Sequence, residues 1–377
     1  MDNKYKLALS ASSGMETCVK REAEKMGFGN CPAINGRIFC EGSGRDILKL
    51  NMGLRTAERV MIVVAEGKTE SFDELYERAF LADWKRFLPK DAKLLVSGKC
   101  VKSKLFSANS CQKIVKKAVV DKLGRQYAVN SLTETGAEAK IVFALHEDEL
   151  LLTLDTSGEA LHKRGYRDLS VQAPIKETIA AGIVMLSDWG FKCPLVDLCC
   201  GSGTIPVEAA MYAANIAPNK GRSFAFDKFE NALSEKERND IIEEFESKEY
   251  EGSYDILGRD IDSDCVSISV RHAKRAGVGD MVRFEKGDAA DFRSEAKGGT
   301  IISNLPYGER LMTADELFRF NRSLGRTFST LDSWSGYFLT ASLVFEKEFG
   351  RPAAKKRKLY NGDIECRVYT YYRRCGK

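Results

Sequence analysis

Long apolar runs are missing from this sequence. No stretch of about 18 residues is apolar enough to form a membrane-spanning helix. Met1 to Ser10 is polar and strand-like, without the apolar core of a secretory signal. Histidine is scarce, with three in the chain, and the eleven cysteines include no C-x-x-C pair, which speaks against a zinc site or an iron–sulfur cluster. Scattered thiols of odd number fit a reduced, cytoplasmic protein. Neither an internal repeat nor a low-complexity tail is visible, and a net charge of +4 is too small to assign a partner.

What is present is a strand, a small-residue loop and a helix start at residues 194–210, PLVDLCCGSGTIPVEAA. An α/β sheet holds nucleotide-like ligands at such a turn. Gly201 and Gly203 let backbone come close to a ligand. Asp197, at the strand's carboxyl end, can accept hydrogen bonds from a cationic or hydroxyl-bearing group. A dinucleotide fingerprint asks for a third small residue where Pro206 stands, and a P-loop asks for Gly-Lys-Ser/Thr. An acid just before the loop would also repel a pyrophosphate. S-adenosylmethionine suits the stretch better, because its ammonium and sulfonium are positive and it carries no phosphate. The bland alternative is a βα turn with two structural glycines.

Three further strand ends carry polar residues in register with this loop. Asp260, in GRDID, can take both hydroxyls of a ribose, and Asp288, in KGDA, can accept from an adenine amino group. The fourth strand ends in SNLPYGER (303–310). Asn304 and the turn at Pro306 present a side-chain amide oxygen and a backbone carbonyl together, which suits an exocyclic NH₂. Tyr307 can stack on an unpaired or flipped base. Taken alone, that turn reads as a loop with a packed aromatic. Pro174 opens the helix that runs to Ser187, and that helix start can wall the ligand pocket. LHKRGYRDLSV (161–171) before it reads as a polar link, and residues 215–254 as a charged, mostly helical insertion or elaborated crossover.

The first sixty-odd residues read β-α-β-β-α-β, the order of a ferredoxin-like unit, with Asn35-Gly36 as its hairpin turn. Lys93 to Arg125 holds nine Lys or Arg residues against one acid, Asp121. Lys99, Lys102 and Lys104 precede a helix on which Lys113, Lys116 and Lys117 share a face. A solvated helix face is the plain alternative to a footprint for an RNA phosphate backbone.

The stretches LHKRGYRD (161–168), APIKETIAA (173–181), DLCCGSGTIPVEAAM (197–211) and NLPYGERL (304–311) carry a resemblance. The chain resembles the THUMP-containing class I S-adenosylmethionine-dependent RNA methyltransferases, most closely the bacterial 23S rRNA guanine-N2 methyltransferases. The resemblance implies an α/β chain in three parts: a ferredoxin-like module (1–66), a THUMP RNA-binding domain (67–157) and a Rossmann-like methyltransferase domain (158–377). It further implies that Asp197, Gly201, Gly203 and Thr204 surround the methionine part of the cofactor, Asp260 its ribose and Asp288 its adenine. Asn304, Pro306 and Tyr307 would then hold the target amine. Leu305 departs from the family's usual first proline and predicts a looser turn. The rivals are a tRNA guanine-N2 methyltransferase and, from another class, a non-catalytic RNA-binding or assembly factor that retains the cofactor. Neither the target nucleotide nor the oligomeric state is set by these residues.

Overall fold

The computed structural model describes residues 4–34, 36–169, 171, 174–306 and 312–373. Two compact units divide the chain. Residues 1–10, 20–161 and 219–244 form the first, and residues 11–19, 162–218 and 245–377 the second.

The first unit is one seven-stranded sheet: β1 (Tyr5–Ala11), β2 (Ala33–Ile34), β3 (Arg37–Gly42), β4 (Ala57–Lys68), β5 (Lys93–Val101), β6 (Glu138–His146) and β7 (Glu149–Asp155). Its order is β2-β3-β1-β4-β7-β6-β5. Helices α1 (Glu16–Lys25), α2 (Gly44–Gly53), α3 (Phe72–Leu81) and α4 (Ala108–Tyr127) alternate with these strands along the chain. Period-two patterning sets the faces. On β5, Leu94 and Val96 are buried while Lys93, Ser97, Lys99 and Val101 face solvent. The expected boundary at 66/67 falls inside β4. That strand neighbours β1 on one edge and pairs with β7 over Met61–Lys68 on the other, so the two expected modules share a single sheet.

The chain continues with α5 (Glu177–Leu186), β8 (Leu195–Asp197), α6 (Thr204–Ala213), α7 (Glu235–Glu246), β9 (Ile256–Asp260), α8 (Ser263–Arg275), β10 (Arg283–Lys286), β11 (Gly299–Asn304), α9 (Ala314–Ser329), β12 (Trp334–Thr340), α10 (Phe345–Phe349), β13 (Lys355–Asn361) and β14 (Ile364–Tyr371). The second sheet runs β10-β9-β8-β11-β12-β14-β13. Its first five strands are parallel, and β14 closes antiparallel on β12. β8, β11 and β12 are buried almost throughout, as central parallel strands must be. From β8 the chain builds outward to β9 and β10, then returns to β11 on β8's other side. The order therefore reverses at β8, and the crevice at its carboxyl end is where such a sheet binds ligands. Among the described residues no helix is long and apolar enough to cross a membrane.

Residues 219–244 lie in the first unit, inside the stretch expected to be a methyltransferase insertion. They hold most of α7 and one short 3₁₀ turn at Ala225–Lys228, with turns elsewhere, rather than continuous helix. The reason is aromatic. Phe224, Phe226 and Phe229 are buried amid the charges, and Phe226 N–H donates to Thr156 O at 2.9 Å. In the second unit, Met15 and Cys18 join a core with Ile179, Ile183 and Leu359.

Candidate functional site

β8 is short and fully buried, and it delivers Asp197 to the sheet's carboxyl edge. Gly201 (φ +52°) and Gly203 (φ +78°) then turn through the left-handed region, and α6 begins at Thr204. The loop's N–H groups are held from within. Cys199 N donates to Asp197 Oδ1 (3.1 Å), Gly201 N to Asp260 Oδ2 (2.8 Å) and Leu198 N to Ser303 Oγ (2.9 Å). A phosphate cradle needs such groups turned toward the ligand. Here carboxylates take two of them.

A cavity of about 770 Å³ opens at this edge. Asp197, Gly201, Thr204, Asp260, Asp288, Pro174, Asn304 and Pro306 all line it, so most of the expected site residues converge on one wall system. Gly203 is the exception. A Cβ there would lie 2.9 Å from Ser269 Cβ and 3.1 Å from the Phe284 ring, so this glycine serves close packing behind the loop. Pro174 lines the cavity from a position three residues before α5 begins, rather than from within the helix. Tyr307 lies outside the described residues.

Charge decides what the cavity can hold. Asp197, Asp260, Asp262, Asp264 and Asp288 line it, and among its described lining residues there is no Lys or Arg. Burial pushes the Asp197 carboxyl up to about 8, opposed by the Cys199 N–H and Ser303 hydroxyl and reinforced by the charge of Asp260. Such a site suits a cation and repels phosphate. Asp260 Oδ1 also accepts from Asp262 N (3.0 Å), and Asp288 Oδ1 from Ala290 N (2.8 Å), which fixes both carboxylates in place. The residues therefore fit S-adenosylmethionine, whose ammonium and sulfonium carry the positive charge.

Several lining residues went unread in the sequence. Ile261 stands two-thirds exposed between Asp260 and Asp262 and gives the cavity an apolar wall. Its signal was an apolar residue between two acids at a strand end. Val171, Ala289 and Phe320 add apolar wall and carried no such signal. Burial raises the thiols of Cys199 and Cys200 well above the ordinary range, which keeps both protonated.

Leu305 corrects the expectation of a loose turn. Its side chain is buried with Val196, Leu198 and Phe338, and its N–H donates to Leu339 O at 2.9 Å. A proline could not make that bond, so the departure anchors Asn304 at the end of β11.

The segment 161–168 is also no plain link. Arg164 and Glu208 are buried and paired at 3.3 Å, and the buried Tyr166 hydroxyl lies 3.2 Å from the same carboxylate.

The expected RNA-binding lysines all lie in the first unit. Lys113 and Lys117 are exposed on α4, with Lys117 5.9 Å above the Tyr76 ring. Counting along the chain missed their acidic neighbours. Lys102 pairs with Glu147 (3.6 Å), Lys104 with Glu70 (2.7 Å) and Lys116 with Glu134 (2.9 Å), all acids from outside the basic stretch. Lys99 instead lines an open groove of about 790 Å³ on the sheet, together with Lys6, Arg37, Phe39 and His146.

Residues 164–370 match the family described as RMKL-like, methyltransferase domain. Residues 6–61 match the RlmL ferredoxin-like domain, and residues 69–155 the THUMP domain. A Bacillus subtilis (strain 168) protein named "Putative RNA methyltransferase YpsC" is 42% identical over 371 residues, 98% of this chain and 96% of that one. The crystal structure of SMU.472 complexed with SAH is similar over 100% of both chains, with a TM-score of 0.91 at 38% identity. A structure from Listeria monocytogenes str. 4b F2365, named as a "predicted N6-adenine-specific DNA methylase", has a TM-score of 0.92 at 39% identity, covering 98% of this chain and 97% of that one.

Proposed function

We propose, from the premise that this chain belongs to the RMKL-like methyltransferase family and is an S-adenosylmethionine-dependent RNA methyltransferase, that its target is the exocyclic N2 amine of a guanosine in 23S rRNA. The observation that carries the reading is that Asn304 and Pro306 line the same cavity as Asp197, Asp260 and Asp288. In this reading Asp197, Gly201 and Thr204 hold the methionine part of the cofactor, Asp260 the ribose and Asp288 the adenine. Pro174 walls the cavity and Gly203 supports the loop from behind. The cofactor, when bound, supplies an electrophilic methyl carbon on sulfur.

An aryl-type amine is a poor nucleophile because its lone pair is delocalised into the ring. Asn304 Oδ1 and the backbone carbonyl of the turn at Pro306 accept its two hydrogens. Those bonds favour a pyramidal nitrogen and aim its lone pair into the cavity. The reading gives Tyr307, outside the described residues, the task of stacking on the base. The rate gain is one of positioning. The same pair of acceptors fits an adenine N6 amine, the group in the name of the Listeria relative. Guanine and rRNA rest on the RlmL-type ferredoxin-like match and on the motifs at 161–168 and 304–311.

The reading divides the chain into a ferredoxin-like module (1–66), a THUMP domain (67–157) and a methyltransferase domain (158–377) acting in the cytoplasm. Lys99, Lys102, Lys104, Lys113, Lys116 and Lys117 contact RNA phosphates. Such contacts orient the polymer without reading its sequence. Mass mapping of modified nucleosides in rRNA and tRNA from a deletion strain tests it. Loss of one N2-methylguanosine from 23S rRNA is expected. Loss from tRNA instead would move the substrate, and an unchanged nucleoside inventory in both RNAs would overturn the reading.

A further inference from the structure

Helix α8 braces the cofactor cavity from behind, and one of its residues touches two parts of the cavity's frame. Ser269 Oγ donates to Gly201 O at 2.8 Å, and His272 Nδ1 lies 3.0 Å from Ser202 O. These contacts hold the glycine loop. The other ring nitrogen, Nε2, faces Asp168 Oδ1 at 3.4 Å. Asp168 also pairs with Arg271, and with Arg275 at 3.4 Å. Arg275 in turn donates to the carbonyls of Tyr166 and Gly165, each at 3.1 Å. Three residues after Asp168, Val171 lines the cavity, and its Cγ2 would lie 3.6 Å from a Cβ placed on Gly201. His272 thus bonds directly to the loop and stands against Asp168, three residues before a residue of the cavity wall.

The two contacts differ in kind. A backbone carbonyl only accepts, so the contact to Ser202 O needs an N–H on Nδ1, whereas Nε2 faces the carboxylate at 3.4 Å without a hydrogen bond. His272 is fully buried in the last turn of α8. Facing it are the carboxylate of Asp168, the guanidinium groups of Arg271 and Arg275 that share that carboxylate, and the Tyr166 ring edge-on at 6.3 Å. Behind Tyr166 sit Glu208 and Arg164.

We propose that His272, bonded through Nδ1 to Ser202 O and set against Asp168 through Nε2, is a positioning residue that sets the glycine loop for S-adenosylmethionine. Loss of either contact weakens cofactor binding and leaves the handling of the target amine untouched. The inference rests on the reading that the cofactor occupies this cavity.

The experiment is calorimetric titration of the full chain with S-adenosylhomocysteine, paired with steady-state kinetics. Asp168→Asn removes the charge while keeping the side chain's shape. It should weaken binding about tenfold and raise KM for S-adenosylmethionine alike, with kcat at saturation and KM for RNA unchanged. His272→Asn keeps a donor near the Nδ1 position but cannot reach Asp168, so it should match Asp168→Asn. The double variant should be no weaker than either single one, because both remove the same contact. Wild-type affinity in both folded variants, a fall in kcat at saturating cofactor, or additive losses in the double variant would each overturn the proposal. Absence of binding to the wild-type chain would instead remove the cofactor reading itself.

Discussion

In the cavity of the second unit, Asp197 is 1% exposed and Asp260 accepts from two backbone N–H groups. On the lysine-bearing surface of the first unit, Lys102 and Lys104 keep 74% and 61% of their side chains in solvent while pairing with Glu147 and Glu70. The carboxylates of the cavity are fixed by desolvation and by directed bonds that cannot be exchanged without moving the loop. The lysines sit in pairs that water and salt screen, each worth about 1 kcal/mol or less, so a phosphate can replace the acid at little cost. A small cationic ligand needs the first kind of construction. A long polyanion needs the second, because its affinity comes from many weak contacts and released counterions.

The sharpest break between the two regions is expected at Asn304. Asn304→Ala should lower kcat about 100-fold or more while S-adenosylhomocysteine binds as in the wild type. Single-turnover methylation and calorimetry together check this, and wild-type turnover would remove the amine clamp.

A smaller effect follows from Asp197. Its carboxyl, raised by burial from 3.8 to about 8, is protonated in the free protein at neutral pH. A cationic ligand favours the ionised form, so binding releases a proton. Affinity should rise with pH by up to about tenfold per unit below pH 8 and level off above it. The stability that this group contributes to the free protein is present below pH 4 and is lost as pH rises toward 8. Titration in buffers of different ionisation enthalpy measures the proton count, and Asp197→Asn should abolish the release.

The mildest effect belongs to the lysines. Reversing Lys113, Lys116 and Lys117 to Glu should weaken RNA binding and flatten its salt dependence by about 0.7–0.9 per lost phosphate contact, with cofactor binding unchanged. Lys116 should contribute least of the three, because Glu134 already holds it. Binding isotherms at several salt concentrations decide it, and unchanged slopes would make α4 an ordinary solvated helix.

Much of this was legible in residue order. Period-two alternation marked β5, β6 and β7, the hairpin turn at Asn35-Gly36 marked β2 and β3, and the acids at 197, 260 and 288 marked strand ends. Local rules suffice there, because each signal lies within one element and its flanking turn. Gly203 read as a ligand contact because a missing Cβ looks alike from either side. Only Ser269 and Phe284, packed against it, show which side it serves. The basic count from Lys93 to Arg125 missed Glu70, Glu134 and Glu147 because ion pairs form across the fold. The charged run at 219–244 hid its aromatic anchors.

By itself the sequence determined the strand ends, the glycine loop, the acids suited to a cation and the asparagine suited to an amine, since these are choices of residue type at fixed spacing. Tertiary structure alone decided that β4 joins the two expected modules in one sheet, that Leu305 bonds to Leu339 at the end of β11, and that Arg164 pairs with Glu208 and His272 with the Ser202 carbonyl. Those facts are pairings between residues far apart in the chain, and a hydrogen bond leaves no trace in sequence until folding brings donor and acceptor together.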